Sequence, residues 1–487
     1  MSNGHLDELD YSYYDYDRFE QFRNVSSSSH IPSWHSLARI VLVILLRVGF
    51  VLVHVGSVPV NDVNLILLQN IVDVCWVTIT FVLIGFIIAY NGDVNGLTGE
   101  GYWIGDATVD KDEAIIGWSA VVIAAAICTS GIVGRTHIVG YLATGFLLAA
   151  FAQPFLIHWM WTPKGWMKRN LLNGRNVQFR DYAGSAVVHL VGGLSGFIGY
   201  TILGRRILQL SAIDDASIAA GTSGTVFAGQ LMVFIGLQSL GMPIERFVSR
   251  SKTRYNIYLN NLLAASSCGL LVVTFHFVFT EEVFNHWTVM RCVQATIAGL
   301  VIVSAGTDIY SPLAAIGLGS IASVIFYLVS RLLFHSALED YCNIVAIHLA
   351  CALFGSILVP LFDTDDNADT ELILLNFSWQ LICIITTLFF VAITMCAAFL
   401  ALQSLGLLRN RTEHLNHLRA SIIMETSPPR SFWRRLFHTD DEPVYLQPGS
   451  TSDSGQRPKT SSHVIKYQNE GAAVEKGRVI ETDATEI

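Results

Sequence analysis

Apolar residues in this chain do not alternate with polar ones at the intervals of a water-facing helix. They run on for about twenty residues, stop at a short polar break, and resume. Eleven such runs occur, at roughly 37–58, 67–90, 114–134, 138–158, 183–203, 222–242, 255–280, 290–306, 310–334, 342–362 and 372–407. Twenty helical residues rise about 30 Å, the thickness of a bilayer's hydrocarbon core. The pattern predicts an all-α polytopic membrane protein with eleven transmembrane helices. The first run begins too far into the chain, and lacks a cleavage site, to read as a signal peptide. An odd number of spans places the two termini on opposite faces.

Three regions follow: an N-terminal arm (1–36), a membrane domain (37–407) and a tail (408–487) that is largely disordered. Composition agrees, with 52% hydrophobic and 14% charged residues. A net charge of −9 excludes nucleic acid as a partner, because phosphate binding needs clustered Lys and Arg. The cysteines lie in or beside the apolar runs without CxxC spacing and read as packing residues. Asn24, in "NVS", is a glycosylation acceptor if the arm is lumenal. Arg409, Arg411 and Arg419 follow the last span, which places the tail in the cytoplasm by the positive-inside rule. The acidic loop 362–371 then falls outside, in agreement, but two basic loops, 162–180 and 244–254, also fall outside, against the rule. In the tail, "SPPRSFWRRLFH" reads either as a lipid-surface segment or as a solvated linker. The terminal Thr485, Glu486 and Ile487 fit a carboxylate-capturing groove of PDZ type.

Candidate chemistry comes from a repeat. "DYAGSAVVHLVGGLSG" (181–196) aligns without gaps on "DYCNIVAIHLACALFG" (340–355) at an offset of 159. Asp181, Tyr182, His189, Leu190, Leu194 and Gly196 match Asp340, Tyr341, His348, Leu349, Leu353 and Gly355. The segments are spans five and ten, so they cross the membrane in opposite directions, the pattern of a five-plus-five inverted repeat plus one extra helix. Each Asp precedes its His by eight residues, roughly 12 Å along a helix, and belongs at a helix N-terminus, where unpaired amides favour a carboxylate. Both histidines fall at middle depth, and the small residues after them allow close helix approach. Two readings stand: each imidazole packs the bundle through a backbone carbonyl, or the pair faces a pathway, as intramembrane ionisable groups usually do. A metal is a poor fit, since zinc normally takes four ligands and no third appears at suitable spacing. Neutral imidazoles among apolar side chains hydrogen-bond a small polar molecule but offer no carbonyl cage for an ion. No cofactor is implied, and no nucleophile and base pair or phosphate loop points to an enzyme.

These segments resemble those of the ammonium transporter family, on the ammonium transporter rather than the Rhesus glycoprotein side, as a divergent eukaryotic-type member. The likeness runs from about residue 45 to 405, with further support from "RVGFVLVHVGSV", "AICTSGIVGRTHIVGYL", "FLIHWMWTPKGW" and "AGLVIVSAGTDIYSPLAAIGLG". It implies a homotrimer in the plasma membrane, an extracellular N-terminus, and one twin-histidine pore per subunit. By position, Trp161 matches the aromatic residue that holds ammonium at the outer mouth, Asp181 the acid beneath it, and His189 and His348 the pore pair. Asp340 is the structural counterpart of Asp181. Ammonium is thus expected to be gathered outside, partly by cation–π attraction, deprotonated on entering the apolar pore, and passed as ammonia. Departures accompany the match. The family's two gate phenylalanines fall near Val121 and Leu240, and "GMPIER" replaces the motif after the second gate. His54 stands where an acid is expected in the first span, which also carries Arg47, and Arg291 replaces an acid in the eighth. The tail lacks the family's subunit-coupling signature. A transport-impaired relative acting as ammonium sensor or structural partner is the competing expectation.

Overall fold

The computed structural model describes residues 33–57, 63–101, 103–105, 111–204, 222–242, 256–280, 286–334, 336, 338, 340–362 and 369–410. The chain divides into units 1–442 and 443–487, and all described residues belong to the first. Asn24, the basic loop 244–254 and the tail beyond Asn410 lie outside the described residues.

Among the described residues the protein is an all-helical membrane bundle of eleven helices. They are α1 (Ser33–Ser57), α2 (Val63–Tyr90), α3 (Lys111–Ile132), α4 (Ile138–Trp161), α5 (Ser185–Leu203), α6 (Thr222–Leu237), α7 (Ile257–Phe279), α8 (His286–Val303), α9 (Pro312–Phe334), α10 (Val345–Leu361) and α11 (Thr370–Ser404). Eight are long and apolar enough to cross a membrane, and α6, α8 and α10 are shorter apolar helices. Each lies on one of the apolar runs. Helix α1 starts at Ser33, inside the expected arm, because Trp34 continues the apolar run toward the N-terminus.

Side-chain size sorts the helices. The Ala-rich α3 and the Gly-rich α5 are buried on nearly every side and form the centre. Small residues let backbones close up where lipid supplies no hydrophobic driving force between helices. A methyl group built on Gly131 of α3 would lie 2.7 Å from the Gly196 carbonyl of α5, and one on Gly49 of α1 would lie 2.6 Å from the Gly229 carbonyl of α6. Bulky residues turn outward instead. Leu270 and Phe277 of α7 and Phe389 and Ile393 of α11 are each more than 60% exposed, as a lipid-facing surface requires.

Two buried hydrogen-bond devices recur five helices apart. Gln69, early in α2, donates to the Thr136 carbonyl just past α3 at 2.8 Å, and Asn260, early in α7, donates to the Thr307 carbonyl just past α8 at 2.8 Å. A further network joins α1, α2 and α3. Arg47 pairs with Asp73 at 2.8 Å and donates to the carbonyls of Val122 and Asn70, while His54 meets Ser130 at 2.7 Å.

The periodicity did not indicate the hairpin β1 (Arg169–Leu172) and β2 (Arg175–Gln178) between α4 and α5. Its turn is Asn173-Gly174, with φ of 52° and 73°, the positive pair that a two-residue hairpin turn requires. Arg175 reaches Asp369 at 2.6 Å before α11, and this partner holds the Asp369 carboxyl below its usual range. Beyond α11 the backbone folds back rather than leaving at 407. The amides of His137 and Asn410 bond the carbonyls of Leu408 and Arg135, and Arg135 and Arg409 both donate to Leu203, the last residue of α5. Two cations there satisfy a carbonyl that a helix end leaves unpaired.

Candidate functional site

The approach to α5 is built from four residues. Tyr182 and Ala183 are pinned by amide bonds to the carbonyls of Ala305 and Ser304. Gly184 then turns the chain at φ 78°, a left-handed conformation open to glycine at no steric cost. The Asp181 carboxylate folds over the new helix end and accepts from the amides of Ala186 and Val187 at 3.2 and 3.0 Å. The first turns, Ser185–Leu190, are π-helical, and His189 is carried in them.

Helix α10 opens in the same way. Asp340 accepts from Ile344 and Val345 at 3.0 and 2.9 Å, Asn343 takes φ 50° at the position matching Gly184, and His348 lies in the π-helical segment Val345–Cys351. π-Helical turns are rare and concentrate at functional sites, because the extra residue re-aims the side chains around it. Burial raises the Asp181 carboxyl against the lowering effect of its amides, and pushes Asp340 up to about 6.

The two histidines meet. Their Nδ1 atoms are 3.2 Å apart and their rings stack at 5.1 Å between centroids, 16° from parallel, with His189 fully buried and His348 nearly so. One Nδ1 must donate and the other accept, so the pair holds one proton in the gap and the two tautomers are linked. The outward nitrogens then differ: the accepting ring carries N–H at Nε2, and the donating ring offers a lone pair there. His189 Nε2 is buried without a protein partner. A methyl group on Gly193 would sit 2.7 Å from the Leu349 amide nitrogen and 2.8 Å from the His348 carbonyl carbon, so this glycine sets the approach of α10 to α5. Gln153 donates to the Val187 carbonyl at 2.7 Å and Ser185 to the Ala352 carbonyl at 3.1 Å, fixing both helices.

Other sequence-indicated residues take different places. Trp161 is nearly buried, donates to the Asp181 carbonyl at 3.1 Å and packs over Gly184. Asp181 is buried with both oxygens on amides, so it caps the start of α5 rather than facing open space. Val121 is fully buried in α3, and Leu240 is buried in the turn after α6. Trp118 donates to Thr78. Among the described residues, no group of three His, Cys, Asp or Glu is placed to hold a metal ion. Gln153 and Asn343 were missed in the sequence reading. A Gln inside an apolar run, and an Asn at the repeat position of a glycine, are the signals that point to them. Asp340→Ala is expected to cost about 0.5–2 kcal/mol, as loss of a helix cap does, and to lower the thermal unfolding midpoint in detergent.

Two histidines touch inside an all-helical bundle of long apolar helices, on helices that open alike, and this places the chain among polytopic membrane proteins. The chain matches the model of the Ammonium Transporter Family over residues 34–418 and belongs to that family. It is 27% identical over 404 residues to Ammonium transporter 1 member 3 of Solanum lycopersicum, covering 76% of this chain and 86% of that one. It is 24% identical over 339 residues to Putative ammonium transporter 1 of Caenorhabditis elegans, covering 67% and 62% respectively. The fold is similar to a solved Sensor Amt Protein (TM-score 0.63, 19% identity, 79% of this chain and 95% of that one). It is equally similar to Mep2 of Saccharomyces cerevisiae (TM-score 0.63, 17% identity, 78% and 86%).

Proposed function

We propose that this chain is a multi-pass conduit for ammonium or ammonia, built as a five-plus-five inverted repeat with one extra helix and working as a homotrimer in the plasma membrane. The N-terminus is extracellular and the tail cytoplasmic, so Asp181 marks the outer mouth and Asp340 the inner one. The observation that carries the reading is the Nδ1-to-Nδ1 contact of His189 and His348 at 3.2 Å, buried within the bundle. A donor on one ring and an acceptor on the other suit ammonia, which has one lone pair and three N–H groups. A cation finds one imidazole lone pair in place of a full hydration shell, which is a poor exchange in apolar surroundings. Trp161 and Asp181 shape the outer mouth. The duplicated carboxylate caps, left-handed turns and carbonyl clamps support the inverted repeat.

A second reading, a transport-impaired member serving as ammonium sensor or structural partner, is favoured by the aliphatic Val121 and Leu240 at the family's gate positions. Flux into proteoliposomes loaded with a pH dye decides between them. A conduit alkalinises the lumen faster than protein-free vesicles when ammonium chloride is added, and His189→Ala or His348→Ala changes that rate by about tenfold or more, the equivalent of losing one buried hydrogen-bonding partner. A sensor shows no excess flux in any form and keeps ligand-dependent stabilisation.

A further inference from the structure

The turn that follows α6 is closed by a side chain from far away in the sequence. Arg39 of α1, 5% exposed, donates through one nitrogen to the Ser239 carbonyl at 2.5 Å and through another to the Met242 carbonyl at 3.3 Å. Carbonyls past a helix end have no intrahelical donor, and one guanidinium here takes two of them. The same turn is tied onward. Gln238 accepts through Oε1 from the Asn261 side-chain amide of α7 at 2.8 Å, and the Asn261 oxygen accepts from the Thr307 hydroxyl at 2.8 Å. Thr307 lies in the turn after α8, which Asn260 also clamps through the carbonyls of Thr307 and Tyr310 at 2.8 and 2.7 Å. Two further carbonyls of that turn, those of Ala305 and Ser304, hold the Tyr182 and Ala183 amides at 3.0 and 2.9 Å, directly before Gly184. The His189 amide in turn bonds the Gly184 carbonyl at 2.9 Å. Hydrogen bonds and short stretches of backbone thus run without interruption from α1 to the histidine pair. Ser239, Asn260, Asn261 and Thr307 are each no more than 3% exposed, so bulk water does not make good a bond lost among them.

We infer that Arg39 is a positioning residue for the histidine pair, fixing the opening of α5 and the direction of His189 through the run Ser239, Gln238, Asn261, Thr307 and Ala305. A role in packing alone would end at the α6 turn. The links after Gln238 are Asn, Thr and backbone, which are too short to absorb a displacement by changing rotamer, so a shift of the turn reaches the Tyr182 and Ala183 amides. The effect on flux rests on the transport reading, whereas the effect on the histidines does not.

The test uses the full-length chain in lipid, carrying histidine labelled with nitrogen-15. The His189 and His348 imidazole signals, assigned by their loss in His189→Ala and His348→Ala, are expected to shift in Arg39→Gln. They are also expected to shift in Thr307→Val, an isosteric change that removes the hydroxyl bonding Asn261 and the Ile257 carbonyl. The double variant is expected to move them no further than the larger single change, because both act on one run of bonds. Excess ammonium flux into proteoliposomes is expected to fall about tenfold in Arg39→Gln, the equivalent of one buried hydrogen bond to a charged group. The control is Asp369→Ala, which removes the carboxylate cap on the Leu372 amide of α11, lowers the unfolding midpoint and leaves the imidazole signals in place. Signals unmoved in Arg39→Gln, with a midpoint lowered as in the control, overturn the inference, and so do effects that add in the double variant. If Arg39→Gln does not fold, the signals in Thr307→Val decide. A wild type without excess flux refutes transport and leaves the signal test standing.

Discussion

Arg47→Met is expected to destabilise the protein by about 3–5 kcal/mol, seen as a large fall in the thermal unfolding midpoint in detergent. The Asp73 side chain is 1% exposed and, among the described residues, Arg47 is the cation paired with it, so removing the guanidinium strands a carboxylate in the bundle. The penalty comes from the orphaned charge rather than from the attraction lost. Arg47→Met combined with Asp73→Leu is therefore expected to recover most of the stability, because two apolar side chains fill similar volume without a desolvated charge. An unchanged midpoint in the single variant would show that Asp73 is hydrated or protonated there and that the pair holds nothing together. His54, Ser130 and Asn70 extend the network toward the end of α3, and their substitution should cost less, since each carries neutral hydrogen bonds.

Gly193→Val is expected to separate the two histidines and abolish the excess ammonium flux. Its β-carbon alone would fall 2.7 Å from a backbone nitrogen and 2.8 Å from a backbone carbon of α10, and backbone cannot swing aside as a side chain tip can. Overpacking of this kind costs about 1–3 kcal/mol, and the cheapest relief is to move α10 away from α5. The control is Gly317→Ala on α9, where nothing lies within 4 Å of the added carbon. That change should leave flux intact and raise stability by up to about 1 kcal/mol. Retained flux in Gly193→Val would mean that the helix contact at the histidines is not what forms the passage.

Much of this arrangement was readable from residue order, for physical reasons that differ by feature. Span positions follow from bilayer thickness, which makes each crossing segment a long uninterrupted apolar run. The Asp–His spacing at 181–189 and 340–348 was visible because both copies keep it, but the left-handed turns at Gly184 and Asn343 lie between each Asp and its helix, so the spacing gives a cap and a site rather than a straight helical rise. The π-helical turns were not visible: a single extra residue within a turn leaves no trace in hydrophobic periodicity when every face is apolar. Arg39 was passed over because a charge near the start of a span usually reaches for the interface, and only tertiary packing brings the Ser239 and Met242 carbonyls to it. Val121 and Leu240 were located by likeness alone, which fixes a position in the chain and says nothing about what surrounds it.

The meeting of two imidazoles through like-named nitrogens limits how much charge the middle of the bundle can store. One excess proton fits, taken up on the far side of the donating ring. A second would put hydrogens on both facing nitrogens and drive the rings apart. Whatever passes the constriction must therefore leave the pair with room for no more than a single extra proton at a time, so surplus protons have to be shed before the molecule arrives or carried off one by one.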